Sequence, residues 1–231
     1  RNSSYYNITR ELYYGKKSVN DVLNLLKEDL DWTKEENGNY KYSYFKDYVY
    51  RKFKSGGSGF YGWNGLRYFL FEYEEELMKQ RNQPKISWNY FIKSSKDKVS
   101  IEHIYPQTAT ADCWEAMFVD VNQSMKKYYN GSLGNLLPLS SSINSSLQND
   151  CFDDKKKTKK DQNGNVVRSG YANGSYSEQE VSFETNWGPN EIQERGLKLL
   201  SFMESRWKIN LGNNDQKKDL LHLVEKDKIL E

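Results

Sequence analysis

The sequence predicts an α+β fold that is mostly α-helical, with a small two-stranded antiparallel sheet and a helix embedded between helices. Three observations carry this. Apolar residues recur at helical spacing at Leu66, Phe69, Leu70, Tyr73 and Leu77, and again from Ile192 through Leu199 to Met203. Between these stretches lie two short runs, VSIEHIY (99–105) and GSLGNLLPL (131–139), which read as strands from their alternation and turn residues. After them, SSSINSSLQNDCF (140–152) reads as a short helix.

The chain has 231 residues, enough for one large domain or two small ones. Aromatic residues reach 15%, a share that excludes a natively disordered chain, because such segments are poor in aromatics. Eighteen Tyr and six Trp point to an aromatic-rich core spread over more than one cluster, since their rings fill apolar space while a polar tip stays near water. The net charge is only +2, so nucleic acid can be signalled only by local charge. No apolar run is long enough to span a bilayer, and no signal peptide is visible. A cytoplasmic protein without membrane contact is therefore expected. Cys113 and Cys151 stand far apart with no CxxC, so a cysteine-built zinc site is not expected. The pair allows a disulfide, but in a cytosolic protein two such residues read as buried thiols. The opening RNSSYYN, without Met, reads as the interior of a longer protein.

The elements follow in order. Residues 1 to about 95 read as helical. Ser18 with Asp21 forms a capping-box pattern ahead of Val22, Leu25 and Leu26. KFKSGGSGFYGWNG is Gly/Ser-rich and reads as a loop, with Arg51, Lys52 and Lys54 beside Tyr50, Phe53, Phe60 and Tyr61. Mixed cations and aromatics of this kind can contact nucleic acid, although a plain solvated loop is the favoured reading. Asn64 is placed to cap the next helix, with Glu72, Glu74, Glu75 and Glu76 facing mostly outward. Pro106 ends the first strand, and Pro138 marks the second as an edge strand. Ser140 or Ser141 can cap the short helix, whose Ile143 and Leu147 face the core. The basic KKKTKKDQNGNVVRSG (155–170) reads as a solvated loop. A long helix runs from about Asn190 to Trp207, and a short one holds Leu220, Leu221 and Val224.

There are two histidines. His222, in the charged KKDLLHLVEKDK, reads as exposed. His103 follows Glu102 and stands just before Pro106. Adjacent strand residues point to opposite faces, so the two share a site only if the strand bends or ends there. A carboxylate beside a neutral imidazole supplies a hard oxygen for a divalent ion and a base for water. A buried structural His paired with the neighbouring acid accounts for this local sequence equally well. The downstream pattern tips the balance. Asn135 lies on the second strand and Asn144 on the following helix. An amide oxygen there can complete oxygen ligation of Mg²⁺, which takes few protein ligands and keeps several waters.

IEHIYPQ, then LGNLLPLSSSIN, then the SLQNDCFDDKK tail resemble the HNH, or ββα-metal, nuclease signature. More closely they resemble the C-terminal nuclease domain of GmrSD-type modification-dependent restriction enzymes, a bacterial phage-defence family. Trp187, Ile192, Arg195, Leu199 and Trp207 match that family's helical tail, and RYFLFEYEEEL and the Trp88 segment resemble the helical part preceding its nuclease. The resemblance implies an HNH ββα-metal core over 98–160, a helical region over 1–97 before it, and a loop with C-terminal helices over 161–231 packing on it. It also implies the roles. Glu102 stands where the metal-binding acid is usually Asp, and His103 is the general base. Asn135 orients the His, and Asn144 is the last metal ligand. Asn149 and Asp150 are weaker candidates.

The expected reaction is phosphodiester hydrolysis with one divalent ion, Mg²⁺ first and Mn²⁺ second, and its elementary act is a nick. Lys126, Lys127 and the run Lys155, Lys156 and Lys157 are expected to meet the phosphate backbone, with binding that is sensitive to salt. Expected partners are DNA, including modified phage DNA, and an N-terminal nucleotide-hydrolysing domain of the same protein, which has no match in this sequence. The oligomeric state is not legible. The rival reading is a non-catalytic module of the same defence system that binds DNA or senses its modification.

Overall fold

A computed structural model describes residues 2–31, 42–83, 87, 89, 91 and 99–223. The fold is α+β and mostly helical, with eleven α-helices and two small antiparallel sheets among the described residues. The chain divides into two compact units, Arg1–Tyr44 and Phe45–Glu231.

In the first unit, α1 (Asn2–Tyr13) and α2 (Val19–Asp31) pack as a helical hairpin. The capping box at Ser18 forms as expected: its N–H donates to the Asp21 carboxylate at 2.7 Å, and the Asp21 N–H donates back to its hydroxyl at 3.3 Å.

The second unit takes in most of α3 (Tyr42–Lys54) and all the elements after it. A Gly-rich turn leads from α3 into a 3-10 helix at Gly59–Gly62 and then α4 (Leu66–Gln80). This segment is no plain solvated loop. Phe53 and Phe60 are buried, and the Phe53 ring fills the space a Cβ at Gly59 or Gly131 would take. Asn64 does not cap α4; the cap position is Gly65, without a side-chain bond. The buried face of α4 is the expected one, Leu66, Phe69, Leu70, Tyr73 and Leu77, with one addition. Glu74 does not face outward. It is buried and accepts the N–H groups of Tyr176 and Ser177, at 2.7 and 3.0 Å, at the start of α9 (Tyr176–Ser182).

β1 (Val99–His103) and β2 (Leu136–Ser140) form the first sheet, with Ile101 opposite Pro138 and His103 opposite Leu136. Pro is tolerated because each strand of a two-stranded sheet is an edge. Leu136, Leu137 and Leu139 are buried, and β2 packs against α4, α9 and α7 (Ser141–Leu147). α7 also packs on β1, which completes a strand–strand–helix unit. The expected cap at Ser140 or Ser141 lies outside the described side chains, as Trp88 and Val224 lie outside the described residues.

Between the strands lie α5 (Asp112–Met117) and α6 (Gln123–Gly131). Cys113 and Cys151 are not thiols but a disulfide, joining α5 to the residue that caps α8 (Phe152–Lys156). The basic run is more ordered than expected: α8, then a hairpin of β3 (Lys159–Lys160) and β4 (Val166–Arg168) that turns at Asn163-Gly164. α10 (Pro189–Trp207) opens with Pro at its first position, where no N–H is needed. Phe202 and Trp207 of α10 pack their rings on Phe69 of α4. α11 (Asn214–Leu220) closes the described fold. His222, just beyond it, is buried and not exposed: it stacks on Tyr50 and meets the Lys46 carbonyl at 3.1 Å.

Candidate active site

Glu102, His103 and Asn135 meet where β1 ends. Asn135 is fully buried in a 3-10 turn immediately before β2, one residue short of the strand it was expected to join. Its side chain is saturated. Oδ1 accepts the Tyr105 N–H at 2.7 Å and the Trp187 indole N–H at 3.0 Å. Nδ2 donates to the carbonyls of Tyr105 and Asn130, at 2.9 and 3.0 Å. One amide thus ties the exit of β1 to the entrance of β2. A buried amide left unpaired is costly, so this network fixes the local path of the chain.

α10 holds the turn from the other side. Arg195 donates to the carbonyls of Gly134 and Leu136, at 2.6 and 2.9 Å. A Cβ at Gly134 would stand 1.9 Å from the Ile192 carbonyl oxygen. Only glycine lets turn and helix approach this closely.

Glu102 and His103 part at the strand end. The Glu102 side chain is buried; its Oε1 accepts from Lys155 at 2.6 Å and from the Tyr171 hydroxyl at 3.4 Å, and the His103 backbone N–H also reaches the carboxylate. Burial pushes the Glu102 carboxyl above the ordinary glutamate range, and Lys155 pulls it back. Burial likewise lowers Lys155, and Glu102 counteracts it.

His103 is also buried, but its imidazole makes no hydrogen bond to a described residue. The half-exposed Tyr61 ring covers it, with centroids 4.7 Å apart. Loss of solvent, and then the Lys155 charge, push its pKa down to about 4, so the ring is neutral at physiological pH.

Asn144 lies within α7, half-buried, and donates through Nδ2 to the Ser100 hydroxyl at 2.8 Å. Ser100 and Glu102 share one face of β1 by strand alternation, so Asn144 reaches the side of the strand that carries Glu102. The His103 backbone N–H reaches the Glu102 carboxylate, but among the described residues no side chain–side chain hydrogen bond joins Glu102, His103 and Asn144 to one another. Nor do the described residues contain three or more His, Cys, Asp or Glu grouped to hold a metal ion.

The lysines divide. Lys127 and Lys157 are exposed, and Lys126 and Lys156 half-buried. Lys156 is engaged with Asp153 at 2.9 Å and the Glu184 carbonyl at 3.0 Å. Lys155 is wholly buried, beyond reach of any phosphate backbone. Asn149 is exposed, and Asp150 pairs with buried Arg168 at 2.7 Å.

The sequence profile described as GmrSD restriction endonucleases, C-terminal domain, matches residues 43–202, well over half of the chain. The chain belongs to that family. Membership in the GmrSD C-terminal family places it among restriction endonucleases, whose substrate is DNA. No curated protein and no solved structure matches the chain. The match runs from α3 into α10 and so takes in the sheet, α7 and the Trp187 and Arg195 contacts. No helix among the described residues is long and apolar enough to cross a membrane.

Sequence reasoning missed the part played by Lys155, Tyr171 and Tyr61 around β1. Lys155 carried no local signal, since its acceptors lie more than fifty positions upstream. Trp187 and Arg195 stood out through the family's tail pattern, which marks their positions without saying what they bind.

Proposed function

We propose that this domain is an HNH-type, metal-dependent endonuclease that nicks DNA, the nuclease part of a restriction and phage-defence protein. One observation carries the reading. The acid beside His103 is committed to Lys155, and the imidazole, kept neutral by burial and then by the Lys155 charge, makes no hydrogen bond to a described residue. A purely structural histidine would be expected to pair with that acid. A base that must take a proton from water needs a free ring nitrogen.

The donor set fits a hard divalent ion such as Mg²⁺ or Mn²⁺. The Glu102 carboxylate and Asn144 Oδ1, whose Nδ2 already has its partner in Ser100, would supply the oxygens. One carboxylate and one amide suit Mg²⁺, which retains most of its waters. When bound, the ion would supply Lewis-acid stabilisation of the developing charge and of the leaving 3′ oxygen. His103 would take the proton from the attacking water, and the approaching phosphodiester charge would raise its basicity. Asn135 would hold the strand exit so that the ring keeps its aim. The exposed cations Arg51 and Lys54 on α3 and Lys127 on α6 would hold the backbone; the two helices are in contact through Phe53 and Tyr128. Modified phage DNA as the target, and a nucleotide-hydrolysing partner domain, belong to the same proposal.

Supercoiled plasmid incubated with Mg²⁺ or Mn²⁺ should relax to the open circle, and chelator should stop it. His103→Ala should lose activity by about 10²–10⁴-fold, the range contributed by a positioned general base. If wild type and His103→Ala leave the plasmid equally supercoiled with every metal, the catalytic assignment fails.

A further inference from the structure

Lys155 is hard to explain as packing. Its side chain is 0% exposed, and burying an ammonium is costly unless its donors are satisfied. An apolar residue of similar volume would fill the space at lower cost. The donors are satisfied in a particular way. Nζ meets Glu102 Oε1 at 2.6 Å, the Ile104 carbonyl at 3.0 Å and the His103 carbonyl at 3.3 Å. An ammonium has three N–H groups, and here they meet three acceptors from three consecutive residues with His103 in the middle. On the next residue, Tyr105, Asn135 takes both the N–H and the carbonyl. The exit of β1 is therefore clamped from two directions, and the His103 imidazole is left outside both clamps.

We propose that Lys155 is a positioning residue of the nuclease site. It holds Oε1 of Glu102, which sets how the carboxylate faces a divalent ion, and fixes the backbone from which the His103 ring projects. The proposal rests on the nuclease reading above. It also replaces the role the sequence suggested for this lysine, contact with a phosphate, which a wholly buried side chain cannot make.

Lys155→Arg keeps the charge but brings a planar fork that cannot point three donors at the same three acceptors. Lys155→Met keeps the stem and removes the charge. Both should be purified in the 231-residue chain, checked for folding by thermal melting, and compared with wild type in two assays. One is plasmid nicking, with kcat and KM separated. The other is Mn²⁺ binding by titration calorimetry without DNA. A positioning role predicts that a folded Lys155→Arg loses kcat by about 10–100-fold, weakens Mn²⁺ by about 10-fold or more, and leaves KM for DNA unchanged. A phosphate-gripping lysine would instead raise KM at unchanged kcat, and that result overturns the proposal. So does a variant whose kcat and Mn²⁺ affinity stay within about twofold of wild type, beside the tenfold scale of a supporting residue. If only one of the two variants folds, that one decides; if neither folds, Lys155 is scaffold and the positioning role is wrong. Wild type that neither nicks nor binds Mn²⁺ fails the nuclease reading itself, and this proposal with it. Wild type that nicks, beside a Lys155→Arg that nicks as well, fails the positioning role alone.

Discussion

Asn135 concentrates more of the site's geometry in one side chain than any other candidate, because four hydrogen bonds converge on its amide. Asn135→Ala would strand the Tyr105 N–H and the Trp187 indole N–H in a buried space. Each orphaned group costs about 1–3 kcal/mol, so a loss of about 3 kcal/mol in denaturant unfolding is expected. Trp187→Phe removes one donor and keeps most of the ring, and should cost only about 1 kcal/mol. Equal losses from the two variants would mean that Trp187 acts through packing alone. The contrast between neighbours in sequence is as telling. Glu102 and His103 are adjacent, yet the side chain of one is tied into a buried ion pair and the imidazole of the other is left without a hydrogen bond among the described residues.

Among the elements, α9 carries a titration that bears on stability. Burial raises the Glu178 carboxyl to about 7, its hydrogen bonds from Ser175 work against this, and nearby Glu74 adds to it. In the unfolded chain the same group ionises near 4.5. Between those values the folded state keeps a proton that the unfolded state releases, so stability falls with rising pH. The contribution of the neutral carboxyl is complete below about 4.5 and lost as pH passes through about 7. Glu178→Gln, which can still serve the capping box, should flatten this part of the profile, by an amount on the order of a few kcal/mol. Chemical unfolding at pH 5 and pH 8 would show it; an unchanged slope in the variant would rule Glu178 out as the cause.

The elements also show what the sequence makes legible. α4 and α10 stood out because a 3.6-residue rhythm is written locally. β1 and β2 stood out from alternation and from Gly and Pro at their ends. Glu74 was misread although its signal was present: it falls four residues after Leu70 and three before Leu77, on the buried face. The three glutamates around it, Glu72, Glu75 and Glu76, made the surface reading look natural. Lys155 was out of reach, because its burial depends on acceptors brought near only by folding. Its run of basic neighbours resembles solvated charge, and nothing local separates the first lysine from the rest. Glu102, His103, Asn135 and Asn144 were legible as candidates; the pairing of Glu102 with Lys155 was not.

For the whole molecule, the small net charge of +2 leaves DNA contact to a local face, and a covalent link adds to the stability. The Cys113–Cys151 bridge spans 38 positions of sequence. In the chain-entropy account a loop of this size stabilises the fold by about 4 kcal/mol. Dithiothreitol should therefore lower the melting temperature markedly, and Cys113→Ser/Cys151→Ser should match the reduced wild type. A double variant that melts with the oxidised protein would show that the bridge adds nothing.

The same bridge closes a covalent ring through α5, α6, β2 and α7, and both candidate asparagines, Asn135 and Asn144, lie inside it. A protease that cuts the backbone anywhere within that ring would release nothing. The clipped protein would run as a single band on a non-reducing gel and separate into two only when reductant is added. Damage to this stretch would thus stay hidden, with the two halves of the site still tethered to each other, until the protein met a reducing environment.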